Sequence, residues 1–332
     1  MLEDQIQQWL KQNVDRSIAR PTRTHALPSD PEGSLFVKRE DELSSGISGS
    51  KLRKYASLIP FLKDQGIERV AIVGGPNSNN VVGLLQTLRE AKIRPYLFLR
   101  EAADPKKRGN ALFLDMLAPA GSIHSVARSD WENVESQAAA FLAKSKTPSY
   151  LIPEGALCPE SLPGCITLAQ DLLRNETSGP FFENIYMDSG TGMNAIGLLL
   201  GLALLDPKRK ERRIHITLIA GDEEQFAKNL KQFKKSLLPC LEIEKIELPN
   251  FDFLHPPISK KFGSTNTSLI QACRQIAKEE GLLMDPTYSV KHYMAMKQHR
   301  SKESPRGNSL FVFNGSALGL SGFQEQLEGQ TS

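Results

Sequence analysis

Seven short runs of apolar and β-branched residues, at 34–38, 69–73, 95–99, 150–152, 184–187, 214–219 and 309–313, read as strands. Between them, apolar positions return every three or four residues over 52–63, 81–91, 111–117, 133–143, 195–205, 225–235 and 268–280, the spacing of one helix face. Strands that alternate with helices predict an α/β fold of parallel sheets covered by helices. Two stretches lie outside the pattern. Residues 297–307 are dense in charge and carry Pro305, which predicts a surface loop before the last strand, and the tail after Gly322, rich in Gln, Glu, Gly and Ser, predicts a fraying terminus. No internal repeat is visible.

At 332 residues the chain can bury a full core and form two domains of ~100–200 residues each. Its 41 basic and 38 acidic side chains leave a charge of only +3, without a basic block interleaved with aromatics, so nucleic acid is not an expected partner. The longest apolar run, 195–205, falls far short of the ~20 residues of a membrane span, and a buried helix is expected there instead. The first residues carry acid before any apolar run, unlike a secretory signal, and a cytoplasmic location is expected. Cys158, Cys165, Cys240 and Cys273 have neither the paired spacing of a zinc site nor the density of a disulfide scaffold. None of the six histidines sits in a metal motif, so no metal is expected.

Three glycine-rich turns hold the candidate chemistry. The first, Ser45-Gly46-Ile47-Ser48-Gly49-Ser50-Lys51, opens a helix. It is not a phosphate-binding P-loop, because the glycine spacing is wrong and Leu52 offers no hydroxyl to magnesium. Taken alone, Lys51 reads as a solvated lysine at a basic helix start. The second, Gly74-Gly75-Pro76-Asn77-Ser78-Asn79-Asn80, joins a strand to a helix at the end of the sheet where such folds bind ligands, although Ser and Asn there also suit plain capping. The third, Asp188-Ser189-Gly190-Thr191-Gly192-Met193-Asn194, again joins a strand to an apolar helix, where glycine lets the backbone close on a phosphate and the helix dipole favours the anion. Gly190 and Gly192 also make half of a dinucleotide fingerprint, but its third glycine stands at 197 rather than 195, which argues against a nicotinamide-dependent dehydrogenase.

In this order the pieces resemble the family of 1-aminocyclopropane-1-carboxylate deaminase and D-cysteine desulfhydrase, a branch of the tryptophan synthase β superfamily, over about residues 35–323. Val37-Lys38-Arg39-Glu40-Asp41 is similar to that family's K-R-E-D-L, residues 74–80 to its G-G-x-Q-S-N-H, and Glu279 to Lys291 to its E-G-x-x-x-D-P-V-Y-x-G-K. The resemblance implies pyridoxal 5'-phosphate as cofactor, held covalently by Lys51. It implies that Ser78 faces the substrate, that Asn79 contacts the cofactor's phenolic oxygen, that Gly190, Thr191, Gly192, Met193 and Asn194 hold its phosphate, and that Tyr288 stands by the substrate. It also implies the two-domain fold type II: a large cofactor-binding domain of residues 1–54 and 161–332, a small α/β domain of 55–160 inserted into it, and a homodimer. The substrate would be a small amino acid.

Departures from the family pattern qualify the chemistry. Ser289 stands where ring-opening members carry a Glu facing the pyridine nitrogen, and a hydroxyl cannot keep that nitrogen protonated. The expected reaction is therefore α,β-elimination, with Lys51 removing the α-proton and a β-substituent leaving, to give a 2-oxo acid and ammonia as D-cysteine desulfhydrases do. Phe262 replaces a family Tyr, Ser50 an Asn, and Phe313-Asn314-Gly315-Ser316 the family's H-T-G-G, so that Asn314 would neighbour the pyridine. Glu154-Gly155-Ala156-Leu157 lacks the family's G-G-S-N. So many changes leave open a relic that binds cofactor without efficient turnover, or a 1-aminocyclopropane-1-carboxylate deaminase-like activity.

Overall fold

A computed structural model of the protein describes residues 2–44, 49–102, 106–261, 263–315 and 317–329. Ten strands are formed: β1 (Thr24–Ala26), β2 (Leu35–Arg39), β3 (Arg69–Gly74), β4 (Arg94–Arg100), β5 (Ile123–Val126), β6 (Ser149–Ile152), β7 (Asn184–Ser189), β8 (Arg213–Leu218), β9 (Asn250–Leu254) and β10 (Ser309–Phe313). The helices are α1 (Leu2–Asn13), α2 (Lys51–Asp64), α3 (Asn79–Glu90), α4 (Asn110–Leu117), α5 (Val134–Ala143), α6 (Leu162–Glu176), α7 (Met193–Leu205), α8 (Glu223–Cys240), α9 (Thr267–Glu280), α10 (Ser289–Glu303), α11 (Ala317–Leu320) and α12 (Gln324–Glu328).

The strands make two sheets, one in the order β1-β2-β10-β7-β8-β9 and one in the order β5-β4-β3-β6. Every pairing is parallel except that of the short edge strand β1 with β2. This is an α/β fold of parallel sheets covered by helices, and it explains why the inner strands lack polar alternation: both faces of β10 and β3 are buried. The smaller sheet comes entirely from residues between Arg69 and Ile152. The proposed boundary near residue 55 cuts through α2, whose Leu58, Ile59 and Leu62 join the core of the small sheet while Ala56 joins that of the large one.

Helix α7 is apolar on all sides, and it is a core helix. It lies so close to α6 that a Cβ on Gly197 would come within 2.3 Å of the Cys165 Cβ. No helix among the described residues is long and apolar enough to cross a membrane. All four cysteines are free.

The Lys38 to Asp41 stretch has a physical role that its resemblance alone does not reveal. Lys38 Nζ donates to Asp171 Oδ2 at 2.8 Å, and Arg53 donates to both Glu40 oxygens (2.5 and 2.7 Å) and to Asp171 at 2.8 Å. All four side chains are buried. Burial alone would raise the Glu40 and Asp171 carboxyls, but Arg53 and Lys38 hold both below the usual carboxylate range. The network joins β2, α2 and α6, and thereby sets where the chain of Lys51 enters the protein.

Two sequence expectations need correction. Residues 297–307 are not a loop throughout: α10 continues to Glu303, and only then does Ser304, in the left-handed region at φ 43°, end the helix. Its many Lys and Arg are the solvated side of a helix whose first turns are buried. The tail is also ordered further than expected, with α12 spanning Gln324–Glu328 and Arg108 pairing with Glu325 at 2.9 Å. Strands β1, β5 and β9 and helices α1, α6 and α10 add to the elements read from the pattern.

Candidate active site

The candidate residues converge at the carboxyl ends of the parallel strands, where open α/β sheets present loops and helix starts to a ligand. From the large sheet, β7 leads into Gly190 to Asn194 and β10 ends at Asn314, while β3 of the small sheet leads into Ser78 and Asn79. Lys51 is the first residue of α2.

Lys51 is positioned by its preceding turn. Gly49 is pressed against β10: a Cβ there would meet the Asn314 carbonyl oxygen at 2.2 Å and that of Glu40 at 2.5 Å, which only glycine avoids. Ser50 N donates to the same Asn314 oxygen, and the Ser50 hydroxyl accepts from Asn194 Nδ2 at 2.7 Å. Asn194 thus ties the start of α7 to the turn carrying Lys51. Lys51 is partly exposed as a residue, yet burial lowers its amine below the ordinary lysine range, opposed first by Asp188 and then by Asp285. One turn on, buried Lys54 donates to the Gly155 carbonyl at 2.8 Å. Burial and the nearby Lys51 push its amine down to about 8. Residues 45–48 of the first glycine turn, Phe262 and Ser316 lie outside the described residues.

At the mouth of α7, Gly192 takes the N-cap position at φ 98°, with no side chain capping the helix. Its first backbone N–H groups are therefore left to a ligand, as a phosphate site requires. Thr191 packs on the Gly155 backbone, where a Cβ would meet the Thr191 hydroxyl at 2.1 Å. Gly190 lies beside the Tyr288 ring, 3.6 Å from where a Cβ would stand. On the small-sheet side, Ser78 caps α3 by accepting from Val81 N at 3.3 Å, and Asn79 Oδ1 accepts from Asn110 Nδ2 at 2.7 Å.

Asp285 organises the opposite wall. Its Oδ1 accepts from Thr287 N and Tyr288 N, both at 2.8 Å, and its Oδ2 accepts from Ser289 N at 3.2 Å and the Ser289 hydroxyl at 3.0 Å. This locks Tyr288 and Ser289 at the start of α10. Burial first, then Asp285 and Asp188, raise the Tyr288 phenol, so it stays protonated.

Three site groups escaped the sequence reading. Asp188 is the only β7 residue that is not buried, and its carboxylate accepts from Asn314 Nδ2. Lys54 sits one helical turn beyond Lys51. His292, on α10, is kept neutral by burial although Asp188 opposes this. A charged residue ending an otherwise apolar strand was the available signal for Asp188; Lys54 and His292 have none in sequence. Away from this pocket, His215, Asp252 and His299 bring ligand atoms within 4.8 Å of one another, a grouping invisible in sequence. Each ring already has a protein partner, Asp252 for His215 at 2.8 Å and the Tyr186 hydroxyl for His299 at 3.0 Å.

The pocket therefore combines an enclosed amine, an uncapped glycine-rich helix start and polar amides, a donor set that fits a phosphate-bearing aromatic aldehyde. Comparison with known proteins agrees. The sequence profile described as "Pyridoxal-phosphate dependent enzyme" matches residues 17–315. The chain is 26% identical over 321 residues to the bifunctional D-cysteine desulfhydrase/1-aminocyclopropane-1-carboxylate deaminase of Arabidopsis thaliana, covering 90% of this chain and 77% of that one. It is 23% identical over 303 residues to the D-cysteine desulfhydrase of Serratia proteamaculans, covering 88% and 89%. In fold it is similar to a crystal structure of an ACC deaminase homologue, with a TM-score of 0.82 at 22% identity and 98% of both chains covered. From these matches and from the pocket that binds them together, the chain belongs to the family of pyridoxal-phosphate dependent enzymes.

Proposed function

We propose that this protein is a pyridoxal-phosphate dependent lyase that eliminates the β-substituent of a small amino acid, with D-cysteine as the leading substrate: D-cysteine and water give pyruvate, ammonia and hydrogen sulfide. The observation that carries the reading is the Lys51 amine, held below its ordinary pKa by burial at the end of the sheet, between the uncapped start of α7 and the wall made by Tyr288.

The cofactor, when bound, supplies an electron sink that stabilises negative charge at the substrate's α-carbon. The protein's own groups do the rest. Backbone N–H groups at Gly192 to Asn194 would hold the phosphate, and Asn79 would contact the phenolic oxygen. Lys51 Nζ would accept the α-proton, and burial, which lowers its pKa, favours the free amine that this role needs. Ser78 and the α3 N–H groups receive the substrate carboxylate. The protonated Tyr288 hydroxyl is available to the leaving sulfur.

A second reading, a protein that binds the cofactor without efficient turnover, is favoured by one observation: Ser50, Phe262 and Asn314 all depart from the family pattern. A third, a 1-aminocyclopropane-1-carboxylate deaminase-like activity, rests on the relatives that carry that name. The visible spectrum of the protein loaded with pyridoxal phosphate, with and without D-cysteine, separates them. We expect a visible band that Lys51→Ala removes, and pyruvate release from D-cysteine that falls by at least ~100-fold in the variant. The band without pyruvate favours the binding role; no band with added cofactor refutes the proposal.

A further inference from the structure

Asn314 presents an acceptor with nothing to accept. Its side chain is 7% exposed, its Nδ2 donates to the Asp188 carboxylate, and its Oδ1 has no hydrogen-bond partner. The orientation of the amide is not arbitrary, since turning it over would set Oδ1 against a carboxylate oxygen. A buried, unpaired carbonyl of this kind is unfavourable unless a donor reaches it. A ligand bound beside Asp188 would supply that donor.

Asp188 strengthens the point. It is the single residue of β7 that is not buried, and it is the leading charged partner of Lys51. The other carboxylate near Lys51, that of Asp285, uses both oxygens to hold the turn at Thr287 to Ser289. Asp188 also interacts with Lys54, Tyr288 and His292, and none of them reaches the Asn314 amide oxygen. A carboxylate beside an unfilled amide acceptor is a site for a cationic N–H.

We propose that Asp188 and Asn314 together receive the ring N–H of pyridoxal phosphate and keep its pyridine protonated. This rests on the cofactor reading above. In that molecule the ring nitrogen lies opposite the carbon that bears the aldehyde, so a ring offering its aldehyde to Lys51 turns its nitrogen away from the amine. The main chain of Asn314 abuts the Lys51 turn, whereas its side chain turns aside to Asp188. The serine at 289 had suggested an unprotonated ring and chemistry limited to elimination. A carboxylate on β7 supplies what the serine lacks. The electron sink is then strong, and substrates whose reaction needs it, strained-ring amino acids included, come within reach beside β-substituted ones.

The test is the nitrogen resonance of bound pyridoxal phosphate labelled with nitrogen-15 in the ring, read alongside the visible band. In the native protein at neutral pH we expect the resonance of a protonated pyridine, moving to the unprotonated position in D188N and staying protonated in D188E. D188S and D188A are made as well, so that a neutral variant that fails to fold does not decide the matter. An unprotonated nitrogen in native protein that shows the band overturns this inference and leaves the enzyme assignment intact, as does a nitrogen that remains protonated in every neutral variant. A native protein with no band overturns the reading beneath it.

Discussion

Lys54 is a buried amine that the proposed reaction does not use, and its effect is on stability. Its pKa in the folded protein is about 8, against 10.5 for the free side chain. Between these values the unfolded chain binds the proton more fully than the folded one, so stability rises with pH through this window. Below about pH 8 both states are charged and the folded state bears the whole penalty, of the order of 3 kcal/mol at ~1.4 kcal/mol per pH unit. Lys54→Met lacks the penalty. We expect the stability difference between native protein and Lys54→Met to shift by roughly that amount in favour of native protein between pH 8 and pH 10.5, as measured by urea unfolding. Parallel pH profiles would show that the Gly155 carbonyl and its surroundings solvate the charged amine.

At the scale of elements, the buried ions at Lys38, Glu40, Arg53 and Asp171 fasten β2, α2 and α6 together. Removing Asp171 takes its carboxylate partner from Lys38 and one of two from Arg53 in a dry interior. Asp171→Ala is expected to destabilise the protein by ~3–5 kcal/mol in chemical denaturation. The pH dependence has the same sense as that of Lys54, stability rising with pH, but it falls in the acid range. The lowered pKa values of Glu40 and Asp171 contribute stability that is present above their ordinary pKa values of 4.5 and 3.8, and is lost as pH falls through the folded values. Acid unfolding should therefore be less steep in Asp171→Ala than in native protein. Glycine positions tell a related story about legibility. Gly49 and Gly155 appear in sequence only as turn residues, but each is demanded by the close approach of a distant backbone or side chain.

For the whole molecule, the resemblance implies a homodimer, for which sedimentation equilibrium should return about twice the monomer mass of 36.8 kDa. A monomer mass at micromolar concentration would count against it. The α/β alternation, most of the parallel strands and the glycine turns that frame the pocket were legible in the sequence, because short-range period and turn chemistry are local properties. Strands β1, β5 and β9 were not, being short or half-exposed, and α6 was hidden by the Pro and Gly in its first turn. The sequence by itself singled out the candidate site residues Lys51, Ser78 and the Gly190 to Asn194 loop, since motifs survive as contiguous strings. Only the tertiary structure decided what surrounds them. Strand order sets β7 beside β10, and this is what joins Asp188 to Asn314 across 126 residues of chain and leaves one amide oxygen waiting for a donor. Contacts of that kind depend on which strands pair, and no local pattern encodes the pairing.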